Sequence, residues 1–194
     1  MAPQSFAQLV SLACHDLRTP LATASGFART LQRLDELKAP ADRYVEMIGA
    51  ASDQLADLLD LLSAAARVEA GRFEAQLQPY DSHELANAAA AHAEAGRATV
   101  AGEGALVKAD PQWGPVSLSA LAEAARRHGG LEQITLTVEQ AEIAIAPIVD
   151  DAGPIATGDD LRDFAAAVGT KVLTAAGATV ALESDSLRVR FPTA

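Results

Sequence analysis

His15, Asp16, Arg18 and Thr19 fall within two helical turns of one another, and side chains of these types at this spacing can move a phosphoryl group. A neutral imidazole is nucleophilic near neutral pH. A carboxylate that accepts a hydrogen bond from one ring nitrogen raises the basicity of the other. Asp16 is placed to do this for His15, and the Thr19 hydroxyl, at i+4, lies on the same helical face as His15. Pro20 follows at once in the run His15-Asp16-Leu17-Arg18-Thr19-Pro20-Leu21. A proline inside a helix costs roughly 3 kcal/mol. A chain selected for helix packing alone has little reason to keep one beside a histidine, so the phosphoryl-acceptor reading of His15 stands above that of an ordinary solvated histidine.

The helix that must carry this run is written in its apolar residues. Val10, Cys14, Leu17, Leu21, Ala24, Ala28 and Leu31 recur at alternating spacings of four and three, the seam of a helix packed against other helices. His15 and Asp16 fall off that seam, which keeps an imidazole nitrogen available to a partner. Cys14 lies on it and most simply fills space. Lys38, Pro40 and Asp42, the last a possible N-cap, predict a turn over 37–42. A second helix then has its own seam at Tyr44, Ile48, Ala51, Leu55, Leu58, Leu62 and Ala65, and Gly71 stands where it would stop. One hairpin cannot bury so wide a stripe. A homodimer is expected, two hairpins forming a four-helix bundle with the two His15 residues outside the core on opposite flanks.

Composition bounds the rest. With 194 residues, 49% of them hydrophobic and 21% charged, the chain can build two small cores. A net charge of -11 argues against nonspecific binding to nucleic acid. A single cysteine excludes an intrachain disulfide framework and fits a reducing compartment. No signal peptide and no apolar span of about 18 residues is evident, so a cytoplasmic protein without a membrane partner is expected. With His15 so near Met1, no sensory input domain is expected ahead of it.

The run from His15 to Leu21 resembles the H-box of the dimerisation and phosphotransfer domain of bacterial sensor histidine kinases, an HExRTPL-like heptapeptide. The resemblance implies His15 as the nucleophile on phosphorus, Asp16 as the neighbouring acid or base, and Thr19 as the residue that positions water when a partner is dephosphorylated. Arg18 and Pro20 complete the motif. It extends into the second half, where Phe73 to Tyr80 alternates like a first strand and Asp81 or Ser82 can cap a helix running toward Ala93. Val107 to Trp113 matches an ADPxxL-like segment. Strands are expected at 134–138, 143–149, 178–182 and 187–191, with helices near 118–127 and 161–176. The implied fold class is α+β: residues 1–71 a dimerising helical hairpin, residues 72–194 a degenerate kinase-type α/β sandwich.

Degeneracy is the informative part. The family's nucleotide helix carries an LxNLxxNAxKH-like pattern whose asparagine holds magnesium, and here Ala120 and Ala124 replace both asparagines. Magnesium demands oxygen ligands, and a methyl group supplies none. Glu123 lies on a neighbouring face, about 100° round the helix. Of the family's DxGxG, Asp151 and Gly153 remain, but Ile155 takes the second glycine position. The glycine-rich phosphate segment is not found, and Gly169, before Thr170 and Lys171, is too little to replace it. A vestigial nucleotide site at Ala124, Asp151 and Gly153, with no ATP and no metal bound by the chain itself, is therefore expected.

The losses spare the histidine. The reading they favour is a histidine phosphotransferase of a phosphorelay, passing a phosphoryl group between His15 and aspartates of response-regulator or hybrid-kinase receiver domains, which would bring Mg²⁺. Three alternatives remain open: an ATP-dependent kinase with an aberrant site, a response-regulator phosphatase working through Asp16 and Thr19, and a noncatalytic pseudokinase that binds a receiver. His83, His92 and His128 show no ligand spacing and default to surface roles. Asp150 with Asp151 reads as a solvated turn, and Arg126-Arg127-His128 as a basic helix end.

Overall fold

A computed structural model describes residues 6–33, 37–93 and 96–194. The chain divides into two compact units, Met1–Gly71 and Arg72–Ala194. The first is a pair of long helices, α1 (Phe6–Arg33) and α2 (Ala41–Glu69). They run antiparallel, with ion pairs from Arg18 to Asp60 and from Arg29 to Asp53 bridging them. α1 runs unbroken through Pro20. α2 ends where Ala70 N–H donates to Ala66 O and Gly71 N–H to Val68 O, and Gly71, at φ +62°, takes the left-handed conformation that lets the chain leave.

The turn differs from the sequence expectation in one detail. Pro40, not Asp42, occupies the N-cap position, and the Asp42 carboxylate instead accepts from the N–H of Arg43 at 2.7 Å. The α2 stripe differs too. Val45, Ser52, Leu61 and Ala64 are buried, whereas the expected seam residues Tyr44, Ile48, Leu55 and Leu58 are exposed. On α1, Cys14 and Ala28 are buried while Leu17 and Leu31 are exposed. The apolar repeat is wide enough to supply two faces, and spacing alone does not say which one the hairpin uses.

The second unit begins with β1 (Gln78–Asp81) and α3 (Ser82–His92), continues through β2 (Ala98–Gly104), β3 (Leu106–Ala109), α4 (Trp113–His128), β4 (Ile134–Gln140) and β5 (Glu142–Ala146), and closes with the one-turn α5 (Gly153–Ala156), α6 (Phe164–Ala175), β6 (Thr179–Glu183) and β7 (Ser186–Arg190). The main sheet has the order β2-β4-β5-β7-β6 and is mixed, since β2 runs parallel to β4 while the other neighbours are antiparallel. β1 and β3 form a separate antiparallel pair. Register makes the core: Leu136 faces Ile145, Val138 faces Ile143, and Ile143 and Ile145 face Val189 and Leu187. These residues pack with Leu85 of α3, Leu118 and Leu121 of α4 and Leu173 of α6. The intervening residues Thr137, Ala144 and Arg188 line up on the opposite face. The α+β class expected from the sequence is the one observed.

The expected first strand is shorter than its alternation implied, because residues 73–77 are held by side chains instead of a ladder. The Gln76 N–H donates to the Asp110 carboxylate at 2.7 Å, and the Phe73 ring meets Trp113 edge-on at a 6.3 Å centroid distance. Asp110, buried, also accepts from the N–H groups of Gln112 and Trp113 and so starts α4 well before Leu118. At α3 the cap is Asp81, whose carboxylate accepts from His83 and Glu84 N–H. Ser82 turns inward and donates to Gln140 O.

Candidate functional site

His15 projects from the middle of α1 with its side chain 78% exposed. Its Nδ1 lies 3.2 Å from Asp16 Oδ1. A carboxylate can only accept, so in the neutral ring this contact places the proton on Nδ1 and leaves the Nε2 lone pair turned to solvent. Nε2 is then the free nucleophile. Thr19, one turn on, is also exposed. Pro20 has no N–H to give to the Asp16 carbonyl four residues back, so the helix lacks that backbone hydrogen bond beside the histidine. The Thr23 hydroxyl donates to the Thr19 carbonyl at 3.0 Å, one turn beyond.

Beneath His15 the helix is fastened. Arg18 Nη2 donates to Asp60 Oδ1 at 2.5 Å across the hairpin. Cys14 is fully buried, and burial pushes its thiol up; the charge of Asp60 acts in the same sense and that of Arg18 against it. The thiol therefore stays protonated and does not compete with the imidazole as a nucleophile. Asp60 has no signature in the sequence. It reaches the site only because α2 folds back along α1.

The residues expected of a vestigial nucleotide site lie on α4, on a short 3-10 turn and on α5, which touch one another. Ala124 is wholly buried on α4. Glu123 is tied to Arg126 at 2.8 Å. Asp151 is exposed in a short 3-10 turn over Asp150–Ala152. Gly153 is buried, and a side chain there would meet Leu182 Cδ2 at 2.7 Å, so the glycine serves packing. Ile155 is 1% exposed and belongs to the interior.

Gly169 has a similar purpose. A Cβ at Gly169 would lie 2.9 Å from Leu121 Cδ1 and 3.1 Å from Ser117 O, so its missing side chain lets α6 lie directly on α4. The basic end of α4 is likewise absorbed by the fold. Arg127 and His128 converge on buried Asp163 at 2.8 and 3.2 Å, while Asp163 caps α6 through the Ala166 N–H. His128 is thus paired with an acid, correcting its assignment to a default surface role: the partner is 35 residues away and invisible to local spacing. Among the described residues, no group of three or more His, Cys, Asp or Glu side chains could hold a metal ion.

Residues 7–71 match the His Kinase A (phospho-acceptor) domain. Over the whole chain the fold is similar to full-length ShkA in complex with AMPPNP, at a TM-score of 0.65 and 21% identity, covering 98% of this chain and 47% of that one. The chain thus spans about half the length of ShkA. It is also similar to the Acinetobacter baumannii histidine kinase AdeS, at a TM-score of 0.55 and 14% identity, covering 92% of this chain and 98% of that one. No curated protein matches. A phospho-acceptor hairpin is therefore followed by a unit with the fold of a histidine-kinase α/β domain. Residues 7–71 match a histidine-kinase phospho-acceptor domain, and the chain as a whole shares the fold of the histidine kinases it is similar to. No described helix is long and apolar enough to cross a membrane.

Proposed function

We propose that the chain is a cytoplasmic, homodimeric histidine phosphotransferase that accepts a phosphoryl group on His15 and exchanges it with receiver-domain aspartates, without kinase activity of its own. The carrying observation is the contrast between the two units. His15 presents an unencumbered Nε2 with Asp16 on Nδ1, whereas Ala124 and Ile155 are buried and Gly153 is packed against Leu182, leaving Asp151 the exposed member of the nucleotide-site set. The residues present do not fit magnesium-bound ATP. Ala124 offers no oxygen, Glu123 is held by Arg126, Ile155 lies in the core, and α6 sits against α4 at Gly169.

The chemistry then needs little from this chain. The Nε2 lone pair attacks the phosphorus of a receiver acyl phosphate, the P–O bond to the aspartyl carboxylate breaks, and the carboxylate leaves. The ring keeps its Nδ1 proton, which it donates to Asp16, and the carboxylate stabilises the positive charge that the ring gains as the P–N bond forms. Mg²⁺ on the receiver neutralises the moving phosphoryl oxygens. Return transfer is the same path reversed. Arg18 and Pro20 shape the surface around the ring, and Thr19 is available for orienting water.

The test is incubation of the purified chain and of His15→Ala with labelled ATP and magnesium, and separately with a phosphorylated receiver domain. Acid-labile label arriving only from the receiver, and only on the unaltered chain, is expected. Label arriving directly from ATP would make the second unit a working kinase.

A further inference from the structure

We propose that Asp60 is a positioning residue for the reaction at His15, holding Arg18 in reserve until the imidazole carries a phosphoryl group. The inference rests on His15 being the phosphoryl acceptor. It begins from an ion pair that the H-box itself does not contain. Arg18 stands three residues after His15, so the two side chains share a helical face with Cβ atoms about 5–6 Å apart. A guanidinium there is the natural counter-charge for a phosphoryl group on Nε2. In the structure it is engaged elsewhere, donating to Asp60 Oδ1 at 2.5 Å. Asp60 arrives from α2, 42 residues away in sequence, so the pairing is a product of the hairpin.

Exposure decides what kind of pairing this is. The Arg18 and Asp60 side chains are 44% and 54% exposed. An ion pair so well solvated is a weak restraint, and a phosphoryl group, with close to two negative charges and three acceptor oxygens, outcompetes a single carboxylate for the same guanidinium. Arg18 therefore has two partners in turn: Asp60 while His15 is free, the phosphoryl oxygens once it is loaded. Competition from Asp60 keeps the phosphohistidine from being over-stabilised, so the group remains transferable in both directions.

A second pair supplies the control. Arg29 donates to Asp53 at 2.7 Å with the same orientation, α1 donor to α2 acceptor, but lies more than three turns beyond His15. If these pairs only staple the hairpin, Asp60→Asn and Asp53→Asn should behave alike.

The experiment loads His15 of the full chain with phosphoramidate, whose phosphorus passes from its own nitrogen to the imidazole with loss of ammonia, so no partner protein is needed. Arg18 side-chain N–H resonances are followed during loading, and the lifetime of the phosphohistidine is measured afterwards. Loading should shift the Arg18 signals. Asp60→Asn should lengthen the lifetime by about two- to fivefold, the range open to an exposed charge pair, and Asp53→Asn should leave it unchanged. In an Arg18→Ala background, Asp60→Asn should have no effect. Unmoved Arg18 signals, equal lifetimes in the two Asp→Asn variants, or an Asp60 effect that survives loss of Arg18 would each overturn the proposal while leaving His15 as acceptor. Failure of His15 to take phosphate at all would overturn both.

Discussion

At the scale of single residues, the site depends on which ring nitrogen of His15 is left free. The Asp16 carboxylate lies 3.2 Å from Nδ1, and the assignment of Nε2 as the nucleophile follows from it. Asp16→Asn keeps the shape and an acceptor oxygen but removes the charge that supports the ring as it turns positive. A charge-assisted hydrogen bond contributes about 1.5–3 kcal/mol, and at this exposed position the lower figure applies, so phosphoryl acceptance should slow about tenfold. Timed phosphoramidate loading of the variant checks this, and an unchanged rate would mean that Asp16 does not act on the ring. These residues were legible in the sequence because all of them lie within one heptapeptide. Asp60 and Asp163 were not, since each meets its partner only after distant helices have packed.

At the scale of elements, the same distinction explains what spacing could and could not reveal. The two long helices and the four later strands were expected from periodicity, whereas residues 73–77 alternate like a strand and yet are held by Asp110 and Trp113. Gly169, before Thr170 and Lys171, is too little for a phosphate loop by sequence, and its packing purpose is visible only from α4. Gly169→Ala would force its new methyl toward Leu121 and the Ser117 carbonyl, and overpacking of this kind costs about 1–3 kcal/mol. Chemical denaturation should show that loss, and a fully stable variant would mean that α6 does not need to approach α4 so closely.

The open face of the sheet has its own electrostatic tie. Burial works against a charge on Glu142, but hydrogen bonds and charge from Arg188 and Arg190 prevail and hold its carboxyl below the usual carboxylate range. A folded-state pKa below the unfolded one adds stability that is complete above the ordinary carboxylate range and disappears as pH falls through the lowered value. Glu142→Gln should therefore melt a few degrees, roughly 2–4 °C, below the unaltered protein near pH 7, and the two should converge near pH 2. A difference that persisted in acid would assign the effect to packing.

At the scale of the whole molecule, the unsolved surface is that of the hairpin. Within a single chain Leu17, Ile48 and Leu55 remain 53%, 51% and 52% exposed, and all three lie on the stripes that the sequence marks as helix-packing seams. Each large aliphatic side chain left in water forgoes about 1.5–3 kcal/mol of burial, so several repeated on two long helices make an isolated hairpin an unfavourable end state. A second copy would offer the same stripes in return, and a two-fold arrangement would let Leu17, Ile48 and Leu55 find apolar partners while His15, off the seam, stayed exposed. Light scattering across a concentration series should give twice the chain mass for the unaltered protein and the single chain mass for an Ile48→Glu, Leu55→Glu variant. The core of the second unit contains neither position, so its melting transition should survive the substitution. An unaltered chain that scattered as a monomer at all concentrations would show that these stripes are covered by something other than a second copy.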